Sequence, residues 1–182
     1  MKALQGLLNL GVRVRDNAGF GGSTEKLIEK EVKDYIKWSE KDGGYEKMRF
    51  LPVLTVVTGR PKQSVESIST SIQNQLKFLA EKHRQHLAVF PLEQGKPARY
   101  IRTPPLLYGI VVSQTMAITV TLDSSDLDAN FKHLDHVQFK NKDMDVWNGF
   151  ALAFMVIMAR NYIISIKHEL EVDDESEADP DL

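Results

Sequence analysis

The side chains with chemistry to offer are few and scattered along the chain. Four of the five histidines come as two pairs, His83 with His86 and His133 with His136. A spacing of three can put two imidazoles on one helical face, and with an acid such as Asp135 a pair could hold zinc. The first pair closes a polar helix end and the second lies in a polar stretch, so both pairs read as surface histidines. His168 falls near a helix C-terminus, where the dipole favours it. Asp123, Asp126 and Asp128 stand among Ser124 and Ser125. They lack the turn Gly and distant Glu of a calcium loop, and turn chemistry accounts for them. Arg60, Lys62, Lys77, Lys82 and Arg84 gather around a strand end and the helix after it. Such a cluster could meet phosphates through charge alone; otherwise it is the solvated side of an amphipathic helix. Cysteine is absent, which excludes disulfides, thiolate metal sites and Cys nucleophiles.

These residues need elements to position them. Ser23 can cap a helix over 23–40, with Glu25 in its first turn and Leu27, Ile28, Val32, Tyr35, Ile36 and Trp38 on one side. Asp42, Gly43 and Gly44 end it. Met48 to Val57 is apolar and β-branched with little alternation, which predicts a central strand covered on both faces. Gly59-Arg60-Pro61 stops it. A second helix spans 64–87, and 87-LAVF-90 predicts another short strand. The stretch 106–123 predicts a hairpin turning at Ser113-Gln114-Thr115. The polar run 123–142 reads mostly as loop. A third helix, from Asp143 or Asp145 to Glu169, is apolar nearly all round its middle, so it is either central or packed on a partner. The order fits an α/β (α+β) domain, a small mixed sheet flanked by helices.

The 182 residues suit one domain. Residues 1–22, ending in 19-GFGG-22, read as a flexible N-terminal segment without the spacing of a dinucleotide fingerprint. Residues 23–169 form the domain, and 170–182 an acidic tail with a disorder signature. The net charge is −2, yet the last fourteen residues hold eight acids and no Lys or Arg, so the rest of the chain is basic. That allows a nucleic-acid partner without demanding one. The N-terminal apolar patch is too interrupted for a signal-peptide core. The longest apolar run, 150-FALAFMVIMA-159, has ten residues, where a spanning helix needs about 20. The expectation is an intracellular protein, in cytoplasm or nucleus, with no membrane segment.

Three strings in this order, 57-VTGRP-61 with 75-QLKFLAEKH-83, 105-PLLYGIVV-112 with 115-TMAITVTLD-123, and 143-DMDVWNGFALAFMVIMARNY-162, carry a likeness. Over about residues 50–165 the chain resembles the PD-(D/E)XK nuclease-like proteins abundant in fungal genomes. The resemblance implies a restriction-endonuclease-like core. Active members hold Mg²⁺ with carboxylates from adjacent strands, beside a lysine. The motif acid would fall at Val57 and the lysine at Gly59, and neither residue can stand in. The front of the sheet is also short, since only 41-KDGGYEKMRF-50 precedes the strand. Glu25 or Glu29 would supply the first-helix acid, and Gln75 matches the helix glutamine. The resemblance therefore implies a catalytically degenerate nuclease-like domain with no cofactor, acting as a binding or scaffold module. A protein partner or a second copy would dock on the third helix or cover the shortened sheet. Two alternatives remain at this point. One is a Mg²⁺-dependent nuclease using relocated acids Glu25, Glu29 and Asp123. The other is a small-molecule enzyme reusing the fold.

Overall fold

The computed structural model describes residues 2–19, 21–60, 63–89 and 99–171. Its elements follow in chain order: α1 (Lys2–Leu8), α2 (Leu10–Gly19), α3 (Thr24–Gly43), β1 (Leu54–Thr58), α4 (Val65–Leu87), β2 (Leu106–Ser113), β3 (Met116–Asp123), β4 (Lys132–Gln138) and α5 (Asp145–Ser165). Short 3₁₀ turns at Lys142–Met144 and Lys167–Glu169 flank α5.

Local signals set the helix ends. Ser23 Oγ accepts the Lys26 amide at 3.3 Å, and Gly44 closes α3 in the left-handed region at φ 65°. Ser64 caps α4 in the same way, accepting from the Ser67 amide.

The four strands lie in the order β1-β2-β3-β4. β1 runs parallel to β2, with α4 as the crossover, and the other pairs are antiparallel. The sheet is therefore mixed, and the fold class is α+β. The hairpin turns at Gln114 and Thr115, between the paired Ser113 and Met116. Gln114 adopts φ 53°, and its carbonyl accepts the Thr24 hydroxyl at 2.8 Å, tying the tip to the start of α3.

Alternation along the strands divides the core in two. On one side Ile110, Val112, Ala117, Val137 and Phe139 pack with Val32, Leu152 and Val156 of α3 and α5. On the other, Val57, Leu107, Val111, Val120 and Leu122 pack with Ile68, Ile72, Leu76 and Ala80 of α4. The result is three layers, with α4 alone on one face and the remaining helices on the other.

Several expectations are corrected. Within residues 1–22, read as a flexible segment, Lys2–Leu8 and Leu10–Gly19 are helical, and they bury Leu7, Leu10 and Val14 completely against α3 and α5. Leu7, Leu10 and Val14 have helical spacing, but the interspersed glycines, poor helix formers, hid it. α1 crosses α5 so closely that a Cβ at Gly149 would lie 2.8 Å from the Leu7 carbonyl oxygen. The strand expected over 48–57 is confined to Leu54–Thr58 and sits at a sheet edge, with helices on both faces. The 87–90 strand reduces to a single bridge from Ala88 to Tyr100, with Phe90 outside the described residues. Within the expected loop 123–142 lies β4, whose residues are nearly all exposed, leaving no alternation to read. β4 carries a bulge at Leu134: Asp135 pairs with Thr119 and His133 with Val120. Charged residues and a bulge are what protect an edge strand from unwanted pairing. The α-helix of the third helical stretch stops at Ser165. The acidic tail from residue 172 lies outside the described residues.

The segment Lys142–Ser165 is long and apolar enough to cross a membrane, by length and composition, and 44% of its most apolar window is buried in the fold. One such helix does not make a membrane protein.

Candidate functional site

At the carboxyl end of β1 an open groove runs between the strand and α4, lined by Thr58, Arg60, Gln63, Ser67, Thr70 and Asn74. The positions that the resemblance assigns to the motif acid and lysine, Val57 and Gly59, border it. Val57 is buried among the α4 side chains. The Gly59 amide donates to the Val112 carbonyl at 2.7 Å, and a Cβ there would stand 2.8 Å from Ile68 Cδ1. The space a lysine would start from is taken by Ile68. Among the described residues the groove lining is neutral hydroxyls and amides, two valines and one guanidinium, with no carboxylate to hold a cation.

The other candidate acids are engaged locally. The Glu25 carboxylate accepts the Ser23 and Thr24 hydroxyls at 3.3 Å each, within the α3 cap. Glu29 is 2.5 Å from Lys33. That ammonium holds its carboxyl below the usual range, with the Thr58 hydroxyl a smaller contributor. The hydroxyl itself is buried and makes no bond of good geometry. Gln75 lies across β1 from Glu29, accepting the Thr55 hydroxyl at 2.7 Å on the α4 side. Asp123 accepts the Ser125 amide and hydroxyl at 2.9 and 2.7 Å, and these bonds lower its pKa. Asp123 pairs with Leu106, whereas Thr58, beside Glu29, pairs with Val112. Six residues of strand, about 20 Å, separate the two acids. Among the described residues no group of three or more His, Asp or Glu comes together to hold a metal ion.

The basic residues also disperse. Lys77 and Lys82 are exposed on α4, with Lys82 Nζ 5.5 Å from the Phe78 ring centre. Arg84 is spent on the fold, donating to the Ser124 carbonyl at 2.8 Å. Arg60 is exposed at the far end, and Lys62 lies outside the described residues. From the start of α4 to Arg84 is about 30 Å of helix, so Arg60 and Arg84 do not share one patch. His133 and His136 lie on exposed β4, 5.9 Å apart.

One histidine departs from its surface reading. His83 is only 3% exposed; its Nε2 donates to the Pro52 carbonyl at 3.0 Å, and its ring meets Tyr162 edge-on. Burial pushes its pKa down, against the smaller opposing effect of the Pro52 hydrogen bond. It walls a second concavity of about 300 Å³ at the amino end of β1, with Phe50, Leu51, Leu87, Arg102 and Leu170. Spacing gives no sign of this pocket, because it is assembled from four distant segments.

No protein-family model, no curated protein and no solved structure matches the chain.

Proposed function

We propose that this chain is a nuclease-like α/β module without catalysis, working as a scaffold whose partner on α5 is a second copy of itself. One observation carries the reading. α5 presents Trp147, Phe150 and Phe154 as a ladder of adjoining rings, with centres 6.4 and 6.2 Å apart. Trp147 is 67% exposed and Phe154 60%. Val146, Met158 and Ile164 extend the stripe. The two charges on α5 are both tied within the chain, Asp145 to Arg15 and Arg160 to Asp42, so the outer face offers none. An aromatic side chain has on the order of 150 Å² to bury. The stripe therefore reaches the several hundred Å² at which an apolar patch marks an interaction site. A face with no charge is matched best by one equally apolar, and a two-fold pairing of the stripe with itself supplies that.

The relocated-acid alternative has less support, because Glu25, Glu29 and Asp123 are engaged locally and do not converge. Sedimentation velocity tests the proposal. The expected result is a dimer at tens of micromolar that becomes a folded monomer when Trp147→Asp and Phe154→Asp are combined. A wild-type monomer at that concentration, or Mg²⁺-dependent cutting of plasmid or single-stranded DNA, overturns it.

A further inference from the structure

Side chains alternate along a strand, so residues three apart point to opposite faces. In a regular β4, His133 and His136 would therefore face away from each other. The bulge changes that. Leu134 is the extra residue: His133 pairs with Val120, Asp135 with Thr119 and His136 with Ile118. On β3, Val120 and Ile118 are two apart and both pack on the α4 side of the sheet. The histidines opposite them share that face, with ring centres 5.9 Å apart. Lys132 and Asp135 pair with Thr121 and Thr119 and fall on the other face. No other charged side chain of β4 thus stands on the histidine side.

Both histidines are exposed. His136 donates its backbone amide to the Asp135 carboxylate, but among the described residues neither imidazole makes a hydrogen bond or ion pair. Imidazole suits divalent metals such as Zn²⁺, Ni²⁺ and Cu²⁺. Zinc stands about 2.1 Å from a ligating ring nitrogen, hence about 3.2 Å from the ring centre, so two imidazoles on one ion have centres at most about 6.4 Å apart. The observed separation lies inside that limit. A tetrahedral angle at the ion asks for about 5.2 Å, a closing of less than an ångström that rotation of two exposed side chains supplies. The helical pair His83 and His86 lacks this freedom, because His83 Nε2 is held by the Pro52 carbonyl.

We propose that His133 and His136 form a two-imidazole site for a divalent transition metal of the zinc class. The ion clasps the bulge by joining the residues on either side of Leu134, and water completes its coordination. Mg²⁺ and Ca²⁺ take oxygen ligands and do not fit. The site is independent of the α5 stripe, since α5 packs on the opposite side of the sheet.

The test titrates the untagged full chain with Zn²⁺ at neutral pH, followed by calorimetry, by NMR at the imidazoles and by melting point. One Zn²⁺ per chain is expected to bind at submillimolar concentration, shifting the His133 and His136 signals and leaving His83 unmoved. The melting point rises because the ion binds the folded chain in preference, and Mg²⁺ at the same concentration has neither effect. His133→Gln and His136→Gln keep the fold, both positions being exposed, and each weakens Zn²⁺ binding by about tenfold or more through loss of the second ligand. His86→Gln leaves it unchanged. Deleting Leu134, which is 54% exposed, removes the extra residue and returns His133 to the opposite face. Binding then weakens as much, although both histidines remain. The proposal is overturned if the two imidazoles give no saturable shift, if Zn²⁺ binds as tightly without either histidine, or if the Leu134 deletion binds like wild type. If the deletion variant does not fold, the two histidine variants decide alone.

Discussion

The two ends of the parallel β1–β2 pair have taken different courses. At the carboxyl end, where open α/β sheets usually place their ligands, the groove by Thr58 and Arg60 is neutral apart from one guanidinium, and the nearest acid, Glu29, is ion-paired. At the amino end, guanidinium and imidazole groups surround an apolar floor. Among the described residues the carboxyl-end groove presents no carboxylate to hold a cation. At the amino end the buried Arg102 Nε has no hydrogen-bond partner. Each end leaves one buried polar atom without a good partner, Thr58 Oγ1 at the carboxyl end and Arg102 Nε at the amino end, so what separates them is the make-up of the lining and not its hydrogen-bond satisfaction.

The largest expected effect comes from trying to make the carboxyl end resemble an active nuclease. Val57→Asp with Gly59→Lys buries a carboxylate among α4 side chains and drives a Cβ into Ile68. The pair should cost about 3 kcal/mol or more, measured by urea midpoint, and yield no Mg²⁺-dependent cutting. A stable double variant that nicks plasmid would erase the contrast between the two ends.

A smaller effect separates the ends by pH. Burial holds His83 below its ordinary value of 6.5. As pH falls through that value the unfolded chain takes up a proton that the folded chain resists, so stability is full above it and declines below. Glu29 at the other end is depressed from 4.5 by Lys33, so its contribution is present above that pH and lost in more acid solution. His83→Gln should flatten the stability profile near pH 6.5 and leave the acid limb, whereas Glu29→Gln should do the reverse. Both are checked by urea melts across the pH range. The smallest expected effect is Ser23→Ala, which removes the α3 cap beside the hairpin tip. It should lower stability by about 1 kcal/mol, measured by urea midpoint.

The helices over 23–40 and 64–87 were legible because their caps and apolar spacing are local. So was the hairpin, whose two strands are contiguous apolar runs. β4 was not, because an edge strand such as 132–138 exposes nearly every residue and leaves only Val137 to mark a face. The N-terminal helices were masked by glycines that read as joints. At the carboxyl end the residue types alone show that Val57 and Gly59 offer no metal-binding side chain. The amino-end pocket could not, for Phe50, His83, Arg102 and Glu169 are unrelated in sequence and meet only through the crossover and the end of α5. The burial of His83 is likewise a tertiary fact: a histidine in a polar helix end gives no local sign that Pro52 and Tyr162 will close over it.

The crossing of α1 over α5 at Gly149 bears on synthesis. Leu7 can meet Ile28 and Val32 soon after they emerge, but its seat against Gly149 does not exist until α5 has been made. At ordinary rates of translation that interval is on the order of ten seconds. Through it the apolar side of α1 has only a provisional partner, and the domain closes when its first and last helices meet.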